Sequence, residues 1–369
     1  MPDSTVANPP TRRRGSTGAG RALSVGQQLM LQAFCLITAA SVLFPILWIV
    51  SMSLDPRNIQ RPSELTLIPP GASFDAYARV LDRPTANPVT FTELAFNSFR
   101  LAAGVSLFAV LIGVSAAYSF ARFRFAGRQA LMIGVLAITI LPSIATIAPL
   151  FAMLNGLSVS LDLLGIILGA LGVAVIGIAL LITVPVFRDG DARWGTYATL
   201  LGGVLLGGLL LREGFANKGN ELFSIRDSLL GVGLAMISGA LPFAIWNLKG
   251  YLDTIPKELE EAAIIDGASP NQTFIRIILP LATPAIAVTG FLGFMSGWTE
   301  FFLSWQFLTK PKDFTLAMSL WNMTGQYAGS VPWSNFAAMS IVVSFPVAIV
   351  YLSIQRYIVG GLTSGGVKG

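Results

Sequence analysis

Long apolar runs alternate with short polar breaks along almost the whole chain. They can be delimited at residues 29–53, 98–120, 130–154, 163–187, 195–211, 229–248, 284–308 and 336–354. A helix needs about 20 apolar residues to cross the hydrocarbon core. Every run meets that length except 195–211, which is rich in glycine and sits at the short end of the range. Each run is therefore predicted to be a membrane-spanning helix, giving about eight spans. The fourth and fifth are separated only by Arg188-Asp189-Gly190-Asp191-Ala192-Arg193, so residues 157–227 read as a hairpin. Residues 1–28 are rich in Pro, Gly, Ser and Arg and are expected to be a flexible tail. The apolar run behind that tail is too long for a signal peptide and has no small-residue cleavage site, so it reads as an uncleaved first span.

One polar break has more internal order than the others. Within residues 250–282, Pro256 is placed to open a short helix and Gly267 can adopt the left-handed backbone that closes one. Ser269-Pro270-Asn271-Gln272 then carries a cap, a first-turn proline and a capping-box glutamine. The prediction is a helix–turn–helix outside the bilayer, with small alanines on its exposed shoulder. Glu258, Glu260 and Glu261 on the first helix would be free to pair with basic groups of a partner.

Composition narrows the chemistry. Hydrophobic residues make up 54% and charged residues 12% of 369, with a mean hydropathy of +0.70. Soluble domains carry about 25% charge, so the chain is an all-α polytopic membrane protein. There is no histidine, and the single cysteine, Cys35, lies in the first apolar run. A disulfide framework is excluded, as are His- or Cys-based metal sites and His-assisted nucleophiles. No phosphate-binding G-x-x-x-x-G-K-[ST] loop occurs. No cofactor is expected in this chain, and any ATP and Mg must be bound by another.

The net charge of +5 is best read topologically. Counting Lys and Arg on alternate sides gives a modest excess on the side of the amino terminus. The bias is sharper in short loops such as that holding Arg122, Arg124 and Arg128. Both termini and the Glu261 loop are therefore expected in the cytosol of a multi-pass protein of the cell membrane.

The Glu261 loop also carries a spaced pattern. It reads E-A-A, three residues, G, nine residues, I-x-L-P, through Glu261, Ala262, Ala263, Gly267, Ile277, Leu279 and Pro280. This resembles the signature loop of the membrane subunits of binding-protein-dependent ABC importers. Further stretches are similar to the sugar-importing, maltose/trehalose-type branch. They include Phe44–Trp48, Ser73–Tyr77, Asn97-Ser98, Tyr118–Phe125, Pro242–Trp246 and Lys249-Gly250-Tyr251. The resemblance implies a type I ABC importer transmembrane domain over 29–356, with six core spans plus the extra hairpin. It implies two ATPase subunits as partners, with a second permease subunit, an extracytoplasmic solute-binding protein and a sugar substrate. Glu258, Glu261, Ala262, Ala263, Gly267, Leu279 and Pro280 would then contact the ATPase. The tail over 357–369, ending Gly365-Gly366-Val367-Lys368-Gly369, would reach between the ATPase subunits. The usual subunit of that family has no hairpin at 157–227, which is either a lipid-facing addition or a contact for a regulator.

Two further groups of residues stand out. Glu300 is an acidic residue inside the 284–308 run, where a carboxylate should face water or the bundle interior. It is open to a role in the substrate path or in a hydrogen bond to a partner subunit. Neighbouring Trp298 and Trp305 are open to sugar stacking or to an aromatic belt. The loop with Lys310, Tyr327 and Trp333 lies between the last two spans; the resemblance makes it a contact for the binding protein, against a plain solvated loop. A transporter driven by an ion gradient would need more intramembrane ionisable groups than Glu300, and usually internal repeats. A membrane enzyme would need an acid, base or nucleophile cluster that the sequence lacks.

Overall fold

The computed structural model describes residues 24–58, 67–140, 143–155, 158–188, 194–216, 222–324 and 331–366. Among the described residues the regular structure is helical, apart from one antiparallel ribbon of three residues per strand, β1 (Ser158–Ser160) with β2 (Leu222–Ser224). The long helices are α1 (Val25–Ser53), α3 (Phe91–Arg122), α8 (Leu229–Leu252) and α15 (Trp333–Gly366), with the short α2 (Asp75–Asp82) and α14 (Leu316–Thr324) preceding α3 and α15. Local signals set their starts. Ser24 with Gln27 and Thr90 with Glu93 form capping boxes, and the Ser228 hydroxyl caps α8.

α3 is the central element. It packs on α8 and on α12 (Thr283–Trp298), while α15 lies against α12 and α1 against α15. Lipid tails are as apolar as leucine, so close approach of backbones takes the place of a hydrophobic drive between helices. The α3–α12 seam shows this: a Cβ on Gly297 would lie 2.5 Å from the Cα of Ala102, and one on Gly293 would lie 3.0 Å from the Cα of Ser106. The Ser106 hydroxyl donates to the Gly290 carbonyl at 2.6 Å along the same seam.

Two expected spans are broken. The 130–154 run divides into α4 (Arg128–Ile140) and α5 (Ser143–Asn155), set at 104° to each other. The 284–308 run does not continue as one helix either. α12 stops at Trp298, and a separate short helix, α13 (Phe302–Phe307), follows. Apolar residues flank both breaks, so an averaged hydropathy reads through them. Among the described residues four helices are long and apolar enough to span a bilayer, or up to six if two bent pairs each count as one span: α4 with α5, and residues 270–281 with α12, which meet at 73°. The expected hairpin is present as an antiparallel pair, α6 (Leu161–Arg188) and α7 (Trp194–Ala216), with shorter apolar stretches at Gly165–Gly177 and Leu200–Arg212. A Cβ on Gly172 would sit 2.7 Å from the Gly207 carbonyl oxygen, so glycine lets these two helices touch. Its charged turn, residues 189–193, and most of the amino-terminal tail lie outside the described residues.

The seam yields a test with opposite signs at two glycines. Gly297→Ala drives a methyl into the α3 backbone and should cost about 1–3 kcal/mol, as overpacking does. Gly104→Ala, also in α3, meets nothing within 4 Å and should gain about 1 kcal/mol of helix propensity. Thermal melts of the solubilised protein should therefore fall for the first variant and rise for the second.

Candidate functional site

The patterned loop folds as an elbow at one end of the bundle. α8 ends at Leu252 with Lys249 paired to Asp253 at 2.5 Å. Ile255 turns inward, and α9 (Glu258–Ile265) begins two residues after Pro256. Its end is a Schellman turn: Gly267 N–H donates to Ile264 O at 3.0 Å and Ala268 N–H to Ala263 O at 2.9 Å. Gly267 has φ +85°, while a Cβ there would meet nothing, so the backbone angle and not space demands glycine. α10 (Pro270–Thr273) then starts with Pro270 in its first turn and a capping box between Ser269 and Gln272. A π turn over Phe274–Ile278 leads into α11 (Leu279–Leu281). Pro280 cannot donate to the helix ladder, and a π turn is a place where such a ladder is already irregular.

The faces of α9 differ from expectation in two ways. Glu258, Glu261 and Ala262 are exposed, with Ile264 beside them and Ile265 85% exposed. Ala263, however, is buried, so the alanine pair is split between an exposed and an inward-facing position. Leu279 packs with Leu248, Leu252 and Ile278 beneath the elbow, whereas Pro280 is exposed.

Glu260 is the larger correction. It is not free for a partner, because its carboxylate is held within the chain. Arg122, the last residue of α3, donates through Nε to Glu260 Oε1, and the Tyr118 hydroxyl donates to Oε2 at 3.1 Å. A second Arg122 nitrogen donates to Ile255 O at 3.0 Å. The side chains of Arg122 and Glu260 are only 7% and 14% exposed. Sequence reasoning gave Arg122 only a topological role. The available signal was the four-residue spacing of Tyr118 and Arg122, which puts both on one face where α3 ends.

At the opposite end, Asn97 and Ser98 organise the loop between α12 and α15. Asn97 Nδ2 donates to Lys312 O at 2.7 Å and to Phe314 O at 2.9 Å, and Leu316 N–H donates to the Ser98 hydroxyl at 2.8 Å. Lys310 is exposed and pairs at 3.5 Å with Asp227, which also accepts from Thr309 N–H and Oγ1, both at 2.8 Å. Burial pushes the Asp227 carboxyl up, but the Thr309 hydrogen bonds and Lys310 outweigh it and leave the group below its ordinary value. Trp333 opens α15 with its ring edge-on to Phe336.

The paired expectations at Trp298 and Glu300 separate. Trp298 is 4% exposed, stacks on Phe294 and donates from Nε1 to Val343 O at 2.9 Å. In this conformation it is a packing residue between α12 and α15 and offers no face to a solute. Glu300 lies in the break after α12, outside any helix, and its carboxylate accepts from Leu303 N–H at 2.5 Å, capping α13. Trp305 is half-exposed on α13. Gly365 and Gly366 are the last residues of α15, while Tyr327, Val367, Lys368 and Gly369 lie outside the described residues.

This architecture has recognisable relatives. The chain is similar to the maltose/maltodextrin transport system permease protein MalG of Escherichia coli (strain K12), with 30% identity over 344 residues, covering 90% of this chain and 93% of the relative. It is 29% identical over 327 residues to the trehalose transport system permease protein SugB of Mycobacterium tuberculosis, covering 89% and 93%. A solved bacterial ABC transporter involved in the import of the acidic polysaccharide alginate shares the fold at a TM-score of 0.62 and 21% identity, over 92% of this chain and all of that one. Residues 109–363 match the family described as binding-protein-dependent transport system inner membrane component. The chain belongs to that family of inner-membrane transport components.

Proposed function

We propose that this chain is the permease subunit of an ATP-driven importer for a small oligosaccharide of the maltose or trehalose class. The observation that carries the reading is the elbow: a rigid, glycine-closed helix presented at the end of the bundle and clamped to α3 by Arg122. The maltose and trehalose permeases among its relatives support the substrate class.

On this reading α9 docks into an ATPase subunit in the cytosol, using Glu258, Glu261, Ala262 and the exposed Ile264 and Ile265. Two such ATPases, a second permease subunit and an extracytoplasmic binding protein complete the assembly. ATP binding draws the ATPases together, and the elbow carries that movement into the spans. Sugar then enters from the binding protein, and hydrolysis restores the inward-facing state. The chain supplies a lever and half of a path, with ATP and Mg held by its partners.

The clamp gives one test. Arg122→Met strands a buried carboxylate and should cost about 3–5 kcal/mol, seen as a lower melting midpoint and loss of ATPase co-purification. Arg122→Met combined with Glu260→Met removes both charges and should recover most of that stability. If the double variant is no better than the single, the pair does not hold the elbow. The turn gives another. Gly267→Val forces a β-branched residue into a left-handed backbone at about 1–2 kcal/mol, or roughly tenfold in occupancy of the turn. Sugar uptake should fall by about that factor while membrane insertion is unchanged. Undiminished uptake would remove the elbow from the coupling route.

A further inference from the structure

A cleft of about 680 Å³ opens at the elbow end between α4, α8, α12 and α15. Its size is within the range of about 300–1,000 Å³ typical of small-ligand sites. Three aromatic side chains, Trp246, Tyr251 and Tyr357, share its wall with Asn247, Lys249 and Asp253. Trp246 is 50% exposed, so its indole is open to a ligand in the cleft.

The polar groups of the wall are engaged within the chain, and at its edge the Arg356 guanidinium lies over the Tyr357 ring at 4.8 Å and donates to its hydroxyl at 2.9 Å. Lys249 is neutralised by Asp253 at 2.5 Å, so the cleft holds no uncompensated cation from this pair to attract a phosphate or carboxylate. Asn247 donates to the Thr289 hydroxyl at 2.9 Å, which fixes its carboxamide, and its oxygen has no partner among the described residues. Aromatic faces beside a fixed amide and a neutral ion pair suit a ring with apolar faces and a rim of hydroxyls. A lipid tail would leave those polar groups unpaired. An anionic headgroup would face Asp253.

We infer that this cleft is an exit-side subsite for a neutral carbohydrate, holding the transported sugar by Trp246 and Tyr357 before release into the cytosol. The inference rests on the sugar-importer reading and adds a site to it. Occupancy must be weak, because tight binding on the release side would oppose net import.

The test uses the complete complex with its partner subunits in nanodiscs, without nucleotide or binding protein. Maltose and trehalose are titrated separately by saturation-transfer NMR, with a diuronate of equal size as the charged control. The neutral sugars should saturate at lower concentration than the diuronate. Trp246→Ala and Tyr357→Ala should each raise half-saturation by about tenfold, the upper range for losing one good aromatic contact. Trp246→Phe and Tyr357→Phe should restore most of it and show that the fold is intact. Three results would overturn the site: variants that titrate like the parent, a diuronate that binds equally well, or displacement of sugar by an equal concentration of short-chain phospholipid. Binding-protein-dependent uptake of the same sugars is measured in parallel. Uptake with unaltered titrations removes only the exit subsite, whereas uptake of no neutral disaccharide removes the sugar reading beneath it.

Discussion

The Arg122–Glu260 ion pair is the constraint on which the elbow depends. α9 has only eight residues and would be marginal as an isolated helix. It is held in place because its one inward-facing carboxylate meets the guanidinium at the end of α3. Desolvating two charges is costly unless their remaining hydrogen-bonding groups are also satisfied. Here Tyr118 takes the second carboxylate oxygen, and the Ile255 carbonyl takes a second guanidinium nitrogen. The pair therefore joins three segments: the end of α3, the turn after α8 and the first turn of α9. A displacement applied to α9 is felt first by α3, the helix that contacts both α8 and α12.

The same logic explains what could be read in advance. The elbow was legible because its determinants are local. Gly267 and the Ser269–Gln272 box act within a few residues of themselves and do what their chemistry dictates, while Pro256 lies two residues ahead of α9 and not in its first turn. The Arg122–Glu260 contact spans 138 residues, and nothing in either flank distinguishes this glutamate from Glu258 or Glu261. The inward turn of Ala263 was hidden for a related reason, since two adjacent alanines carry no amphipathic signal. Glu300 was misplaced because Phe301, Phe302 and Leu303 keep the run apolar after α12 has ended at Trp298. A window that sums hydropathy averages Thr299 and Glu300 into their apolar flanks and does not register the break.

The seam between α3 and α12 adds a second kind of rigidity. Backbones that touch at Gly293 and Gly297 cannot slide apart gradually without losing contact along the whole seam. They move as a body or separate. The polar bonds across this region work in the same direction. Ser106 holds the Gly290 carbonyl of α12, and Asn247 of α8 holds Thr289 next to it. α3, α8 and α12 thus form one block, cross-linked near residues 289 and 290 of α12 and clamped to α9 at the elbow end.

Flexibility must then lie at the edges of that block, and the breaks are found there. α4 and α5 meet at 104°, and α12 gives way to α13 through Thr299, Glu300 and Phe301. The carboxylate of Glu300 caps α13, so this break is stabilised as a joint with a defined geometry. Asn97 and Ser98, near the start of α3, reach the loop beyond that joint. One helix therefore carries Arg122 at one end and the anchors of the opposite loop at the other. If α9 is where force enters, α3 is the element that delivers it to the far face. The loop there is moved through Asn97 and Ser98, with no separate signal needed across the bundle.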